Sequence, residues 1–290
     1  MKNNINFSVI IPAYNASQTI IRTLDSLIFQ TYKFFEVIIV DDLSNDVDKL
    51  EDIVSIYTNK GLNINFFKSD IKLNGAGARN KGINISVNDY ICFLDADDTW
   101  LPNKLEIYKN NVSNSVGSNN NIYYSKVSIV KNNEVIKIMP LREFLPDKET
   151  MANYLFGCAG FIQTSTLLIH KSILEKINFN EKFVRHQDYD LCIRLNAYGC
   201  KFIMIRDTLS EYHIDDRPVS IKGENISYSY FWLSEMSRYL VKKDYYAYKA
   251  FKLTNKMFGF KRFYTFLSNF ILSTILSKRD FIFLILSKMK

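Results

Sequence analysis

The chain is poor in the residues that punctuate or staple a fold. Its 290 residues include ten glycines, five prolines and four cysteines. So little glycine and proline excludes collagen-like and low-complexity classes. Cys92, Cys158, Cys192 and Cys200 show no CxxC or metal-ligand spacing, so neither a zinc finger nor a disulfide framework is expected. Histidine is scarcer still, at three. Met1-Lys2-Asn3-Asn4 leads straight into a short apolar segment with no cleavage signature, so no secretory signal is expected and the thiols belong in a reducing compartment. A long apolar run is missing too. The best candidate, Phe263 to Leu286, is broken by Lys278-Arg279-Asp280, whereas a spanning helix needs about 20 largely apolar residues.

What is present is hydrophobic residue at 47%, enough for one large globular unit, and an uneven charge. The 37 Lys and Arg exceed the 30 Asp and Glu, for a net charge of +7. From Phe231 onward, twelve Lys and Arg face three Asp and Glu, and fifteen aromatic rings accompany them. A near-neutral body thus carries a basic, aromatic tail.

Phe7-Ser-Val-Ile-Ile11 reads as a buried strand closed by Pro12, and Ile20, Ile21, Leu24, Leu27 and Ile28 recur at helical spacing. Val37-Ile-Ile-Val40, Ile64–Phe67 and Tyr90–Leu94 read as further strands, with a polar helix after Asp42 and another opening near Gly75. Such alternation predicts an α/β fold with a mostly parallel sheet and helices on both faces. Ligands in such sheets sit at the carboxyl ends of strands. Here those ends carry Pro12-Ala-Tyr-Asn15, Asp41-Asp42 and Asp95-Ala-Asp97-Asp98. Farther on, Ile122–Val130 and Val135–Met139 predict a hairpin around Lys131-Asn-Asn133.

Asp95, Asp97 and Asp98 place three carboxylates within four residues. Adjacent like charges repel unless a cation compensates, and hard oxygen donors suit Mg²⁺ or Mn²⁺, which can also bridge to a diphosphate. The plainer reading is an acidic turn, with Asp98 or Thr99 capping a helix near Trp100-Leu101-Pro102. Both roles can hold together.

Taken in order, Ser8-Val-Ile-Ile-Pro-Ala-Tyr-Asn15, Val40-Asp-Asp42 with Ser44, Gly77-Ala-Arg-Asn80 with Gly82, and Phe93-Leu-Asp-Ala-Asp-Asp98 form a familiar series. Thr164-Ser-Thr166, Arg185-His-Gln-Asp-Tyr-Asp-Leu191 with Arg194, and His213 continue it. The series resembles glycosyltransferase family 2, whose members have the nucleotide-sugar-binding GT-A fold, and the resemblance spans roughly residues 5–220. It implies a GT-A unit over 1–220, with a nucleotide-binding half to about residue 115 and an acceptor half over 116–220; residues 221–290 are expected to form a helical C-terminal extension.

The resemblance also implies roles. Pro12, Ala13, Tyr14 and Asn15 would line the nucleotide pocket. Asp42 would recognise a uracil-type base, with Asp41 its rival. Arg79 would bond phosphate or base oxygens, which a planar guanidinium does in bidentate fashion. The plainer alternatives are Tyr14 as a packed rim aromatic and Arg79 as a helix-surface charge. Asp95, Ala96 and Asp97 would form the DXD-type run, with Asp97 on the metal and Asp95 reaching sugar or ribose. His213 resembles a late histidine that completes the metal site in some members. Asp188 matches the second acid of the family's Glu-Asp motif, with Gln187 in place of the Glu. Inverting transfer needs one base opposite the leaving group, and Asp188 would be it. Asp190 is placed to pair with Arg194 instead.

The tail fits none of these blocks. Lys242, Lys243, Lys249, Lys252, Lys256, Lys261 and Arg262 interleave with aromatics, as in an interfacial segment on an anionic membrane; packing on the body or on a second subunit is the alternative. No nucleic-acid motif accompanies it. The reading is a metal-assisted, inverting transferase that uses a UDP-sugar. It would act on an oligosaccharide or lipid-linked acceptor for bacterial O-antigen, lipopolysaccharide or capsule, peripherally at the cytoplasmic face of the membrane. Its rivals are a nucleotidyltransferase, whose Gly-rich phosphate loop is missing at Pro12-Ala-Tyr-Asn15, and a catalytically silent nucleotide-binding scaffold.

Overall fold

A computed structural model describes residues 5–115, 119–157, 159–214, 226–253 and 266–273. Strands Phe7–Ala13 (β1), Phe35–Asp41 (β2), Ile64–Lys68 (β3) and Tyr90–Phe93 (β4) alternate with helices Ile20–Ile28 (α1), Val47–Asn59 (α2) and Asn74–Ile85 (α3). Short Thr99–Trp100 (β5), helix Lys104–Asn114 (α4), the long Asn121–Lys131 (β6) and Glu134–Met139 (β7) follow. Helix Met151–Phe156 (α5), Leu167–His170 (β8), Lys171–Leu174 (α6), Gln187–Ala197 (α7) and Lys201–His213 (β9) complete the body, before helices Ile226–Met236 (α8) and Lys242–Tyr248 (α9).

Among the described residues nine strands make one sheet, in the order β3-β2-β1-β4-β8-β6-β9-β5, with β7 on β6. Its first four strands are parallel. Beyond β4 it is mixed: β8 runs antiparallel to β4 and β6, while β6 and β9 are parallel. The expected hairpin is β6 and β7.

The pleat explains the two-sided core. Alternate residues of a strand face opposite sides, so Val9, Ile11, Val37 and Ile39 join α1, α2 and α4 on one face. Ile10, Ile38, Ile91 and Phe93 join α3, α5 and α7 on the other. Helix α3 lies so close to β1 that a Cβ on Gly82 would meet Ile10 Cγ2 inside van der Waals contact.

Part of the tail belongs to this second layer. Trp232 and Tyr248 are fully buried in it, stacked 5.2 Å apart, with Phe156 5.1 Å from Tyr248. Tyr230, Phe231 and Tyr245 stay exposed, and Lys249 lies over the rings of Tyr230 and Tyr245. Lys256, Lys261, Arg262 and Phe281–Leu286 lie outside the described residues, as does Cys158; Cys92, Cys192 and Cys200 are buried free thiols. Among the described residues no helix is long and apolar enough to cross a membrane.

Candidate active site

The carboxyl ends of β1, β2 and β4 open onto a cavity of about 380 Å³. It is lined by Pro12, Ala13, Tyr14, Asp42, Arg79, Asp95, Ala96 and Asp97, together with Ala16, Thr19 and Gly75. Strand ends distant in sequence thus converge on one hollow, as parallel topology requires.

Asn15 does not line it. Its backbone is left-handed, at φ 50°; its N–H donates to Ser44 Oγ at 2.9 Å and its Oδ1 accepts from Asn45 N, also at 2.9 Å. Asn15 therefore ties the loops after β1 and β2 together. Asp42 Oδ1 accepts from the backbone N–H groups of Leu73 and Asn74, and Oδ2 pairs with Lys72 Nζ at 2.8 Å. That ammonium also sits over the ring of Tyr14, which is 53% exposed at the rim. Asp41 is buried, with Oδ2 on Ser44 N.

Arg79 is no surface charge. It is 7% exposed; Nη2 donates to Asp95 Oδ1 at 2.5 Å and Nη1 to Gln187 Oε1 at 2.7 Å. Gly75 makes room for this pair, since a Cβ there would lie 3.0 Å from Arg79 Nη1 and 3.2 Å from Gln187 Oε1. The Gln187 amide accepts from Arg79 while donating to Phe183 O at 2.7 Å. A glutamate could accept but not donate, which gives the departure from the family's Glu a physical use here.

A second cavity of about 380 Å³ lies across that pair. It shares Arg79 and Asp95 with the first and is lined further by Phe161, Gln163, Thr164, Arg185, His186, Gln187, Asp188, Tyr189 and Tyr212. Asp188 stands in the first turn of α7 and accepts from Tyr189 N at 2.9 Å. Burial pushes its carboxyl up to about 6, against the Tyr189 N–H and the Arg79 charge, which pull it down. A group poised there is ionised at neutral pH yet basic enough to take a proton. Asp190, by contrast, is wholly buried and bonds Arg194 through Nε and Nη2.

His186 precedes this turn with left-handed backbone, φ 59° and ψ 27°, which costs a non-glycine residue about 1–2 kcal/mol. Its ring stacks on Tyr189 and bonds the Tyr248 hydroxyl at 3.0 Å.

Asp98 does not cap a helix. Asn103 stands before α4, and Thr99-Trp100 form β5. Asp98 is fully buried: Oδ2 accepts from Gln163 Nε2 at 2.5 Å and Ser165 Oγ at 2.6 Å, and Oδ1 from His213 N at 3.3 Å. Burial, with the charges of Asp95 and Asp97 alongside, holds its carboxyl well above the ordinary carboxylate range. Asp95 Oδ2 accepts from Gln163 Nε2 and Thr164 Oγ1, so Gln163 and the 3₁₀ turn Thr164–Thr166 brace both Asp95 and Asp98. Gln163, Phe161 and Tyr212 carry no motif of their own; Thr164-Ser-Thr166 and His213 beside them are the local signals.

His213 lines neither cavity. Its Nε2 lies 3.0 Å from Thr99 Oγ1 and 3.6 Å from Glu211 Oε2. Among the described residues no three His, Cys, Asp or Glu side chains gather as a ready metal cage. The donor set nonetheless fits Mg²⁺ or Mn²⁺, which are held by one or two carboxylates with substrate phosphates and water completing the shell. Asp97 lines the first cavity, and both oxygens of Asp95 have protein partners.

Comparison with known proteins bears on this geometry. A family model described as glycosyl transferase family 2 matches residues 8–177. The chain is 49% identical over 253 residues to the amylovoran biosynthesis glycosyltransferase AmsB of Erwinia amylovora, covering 86% of this chain and 84% of that one. It is 29% identical over 213 residues to the UDP-Glc:alpha-D-GlcNAc-diphosphoundecaprenol beta-1,3-glucosyltransferase WfgD of Escherichia coli, covering 71% and 78% of the two chains. The crystal structure of S. aureus TarS 1-349 in complex with UDP-GlcNAc matches with a TM-score of 0.68 at 18% identity, over 91% of this chain and 79% of that one. At that identity the likeness is one of fold.

Proposed function

The chain belongs to glycosyltransferase family 2 and is a glycosyltransferase; from that premise we propose an inverting enzyme that moves a hexose or N-acetylhexosamine from a UDP-sugar to a hydroxyl of a lipid-linked oligosaccharide. The observation that carries this reading is the pair of cavities on either side of Arg79 and Asp95. One is lined by Pro12, Ala13, Tyr14, Asp42 and Asp97, the other by Asp188. Inversion calls for the attacking hydroxyl and the leaving diphosphate to lie on opposite faces of the sugar, and two hollows sharing one wall suit that demand.

In this reading Pro12, Ala13 and Tyr14 border the nucleotide, Asp42 meets the base, and Asp95 and Arg79 orient the sugar at the wall. Asp97 would hold Mn²⁺ or Mg²⁺, with His213 as a further ligand. When bound, the ion would neutralise the diphosphate as Lewis acid. Asp188 takes the proton from the acceptor hydroxyl as that oxygen attacks the anomeric carbon. The relatives' names support the acceptor class: amylovoran assembly for AmsB, a diphosphoundecaprenol-linked sugar for WfgD. Exposed Tyr230 and Tyr245 beside Lys249, with exposed Phe231, support contact with an anionic membrane surface at the cytoplasmic face.

The test is Mn²⁺-dependent UDP release from UDP-glucose, UDP-galactose and their N-acetyl counterparts, for wild type, Asp97→Ala and Asp188→Asn. Release with one donor, lost in both variants while UDP binding survives in Asp188→Asn, is the expected result. Absence of nucleotide-sugar binding with Mn²⁺ would overturn the reading.

A further inference from the structure

Arg185 and His186, just ahead of Gln187 and Asp188, are held from the C-terminal segment. Tyr228 Oη accepts from Arg185 N at 3.0 Å and donates to Arg185 O at 2.9 Å, so one hydroxyl clamps both backbone groups of that residue. Tyr248 Oη bonds His186 Nε2 at 3.0 Å. Around the His186 ring stand Tyr189, Trp232 and Tyr248, with centroids 5.3, 5.3 and 5.8 Å away. Lys252 lies 5.0 Å over the Tyr189 ring. His186 keeps its left-handed backbone inside this cage. Such conformations persist where the surroundings over-determine them.

We infer that residues 226–253 are a positioning element of the transferase, with Tyr228 clamping the Arg185 backbone and Tyr248 holding the His186 ring in the turn that aims Asp188 at the acceptor hydroxyl. The inference rests on the proposed role of Asp188 as base. It gives the C-terminal helices a part in turnover distinct from any contact with a membrane. The family match ends at residue 177, so both the turn and the helices that hold it lie beyond the matched region.

Tyr228→Phe and Tyr248→Phe each keep the ring and delete one hydroxyl. Hydrogen exchange of the full-length protein, read by mass spectrometry, is expected to speed up over 185–190 in each variant while the strands of the sheet keep their protection. With whichever of the four UDP-sugars turns over, kcat is expected to fall about 10- to 100-fold, as for a misplaced catalytic group, with KM for the donor and the UDP affinity unchanged. Should one variant fail to fold, the other carries the test, since the two hydroxyls hold different residues. Unaltered exchange over 185–190, or wild-type kcat in a variant whose exchange has risen, overturns the inference. Asp188→Asn, run alongside, separates the two readings. If it turns over like wild type, the base assignment fails, while the exchange data still decide whether the C-terminal helices hold the turn.

Discussion

Arg79 Nη2 lies 2.5 Å from Asp95 Oδ1, and this ion pair is the common wall of the two cavities. Both side chains are pinned from behind, Arg79 by Gln187 and Asp95 by Gln163 and Thr164. Arg79→Lys is therefore a sharp probe. One ammonium on a flexible stem cannot reproduce the planar fork that meets Asp95 and Gln187 together. Turnover is expected to drop about 10- to 100-fold, with melting little changed; a lysine variant as active as wild type would show the fork to be dispensable.

As the proposed base, Asp188 is expected to set the acid limb of the rate profile. With its carboxyl at about 6, kcat/KM is expected to rise as the pH climbs through that value, because only the ionised form can take a proton. Asp188→Asn is expected to remove the limb and about 100- to 10,000-fold of the rate. The linkage to stability has the opposite sign. The folded state holds this proton more tightly than the unfolded chain, so its stabilising contribution is full below the ordinary carboxylate value and is lost as pH rises through about 6.

Gly82 tests the packing that brings α3, and with it Arg79, against β1. Gly82→Ala drives a methyl group into Ile10 Cγ2 within a fully buried core. The expected cost is about 1–3 kcal/mol, seen as a lower thermal midpoint. Ile10→Leu in the same chain removes the branch that clashes, and should restore part of the loss.

Lys104 is fully buried with hydroxyl partners, Ser210 Oγ at 2.9 Å and Tyr108 Oη at 3.1 Å, and burial lowers it to about 7. Above that pH the unfolded chain carries a proton that the folded one lacks, so folding gains stability as pH rises toward the ordinary lysine value. Lys104→Met should abolish this. Urea titrations at pH 7 and 8.5 are expected to show wild type gaining about 1–2 kcal/mol on the variant. Parallel curves would mean that the ammonium is solvated.

What could be read from the sequence is what is local in it. The apolar runs that become β1, β2 and β4 and the acids at their ends sit within a few residues of one another. Parallel topology then carries Pro12, Asp42 and Asp95 to one place. Asp98 shows the limit. Its neighbours Thr99 and Trp100 suggested a helix cap, but its partners Gln163, Ser165 and His213 lie 65 or more residues away, and nothing near Asp98 announces them. The tail shows another. Composition counts rings and charges without saying which way they face. Trp232 and Tyr248 turn inward onto Phe156 and His186, while Tyr230 and Phe231, beside Trp232 in the chain, turn out.

Asp42 has a consequence for how tightly any nucleotide can be held. Its carboxylate receives two amide hydrogen bonds from Leu73 and Asn74, where α3 begins, and the ammonium of Lys72. A base that bonds Asp42 must share those oxygens or displace their partners. The measured affinity is then a difference between two sets of hydrogen bonds. The same turn begins the helix that carries Arg79, so in the proposed reading a base drawn to Asp42 would act on the end of the element that aims the guanidinium.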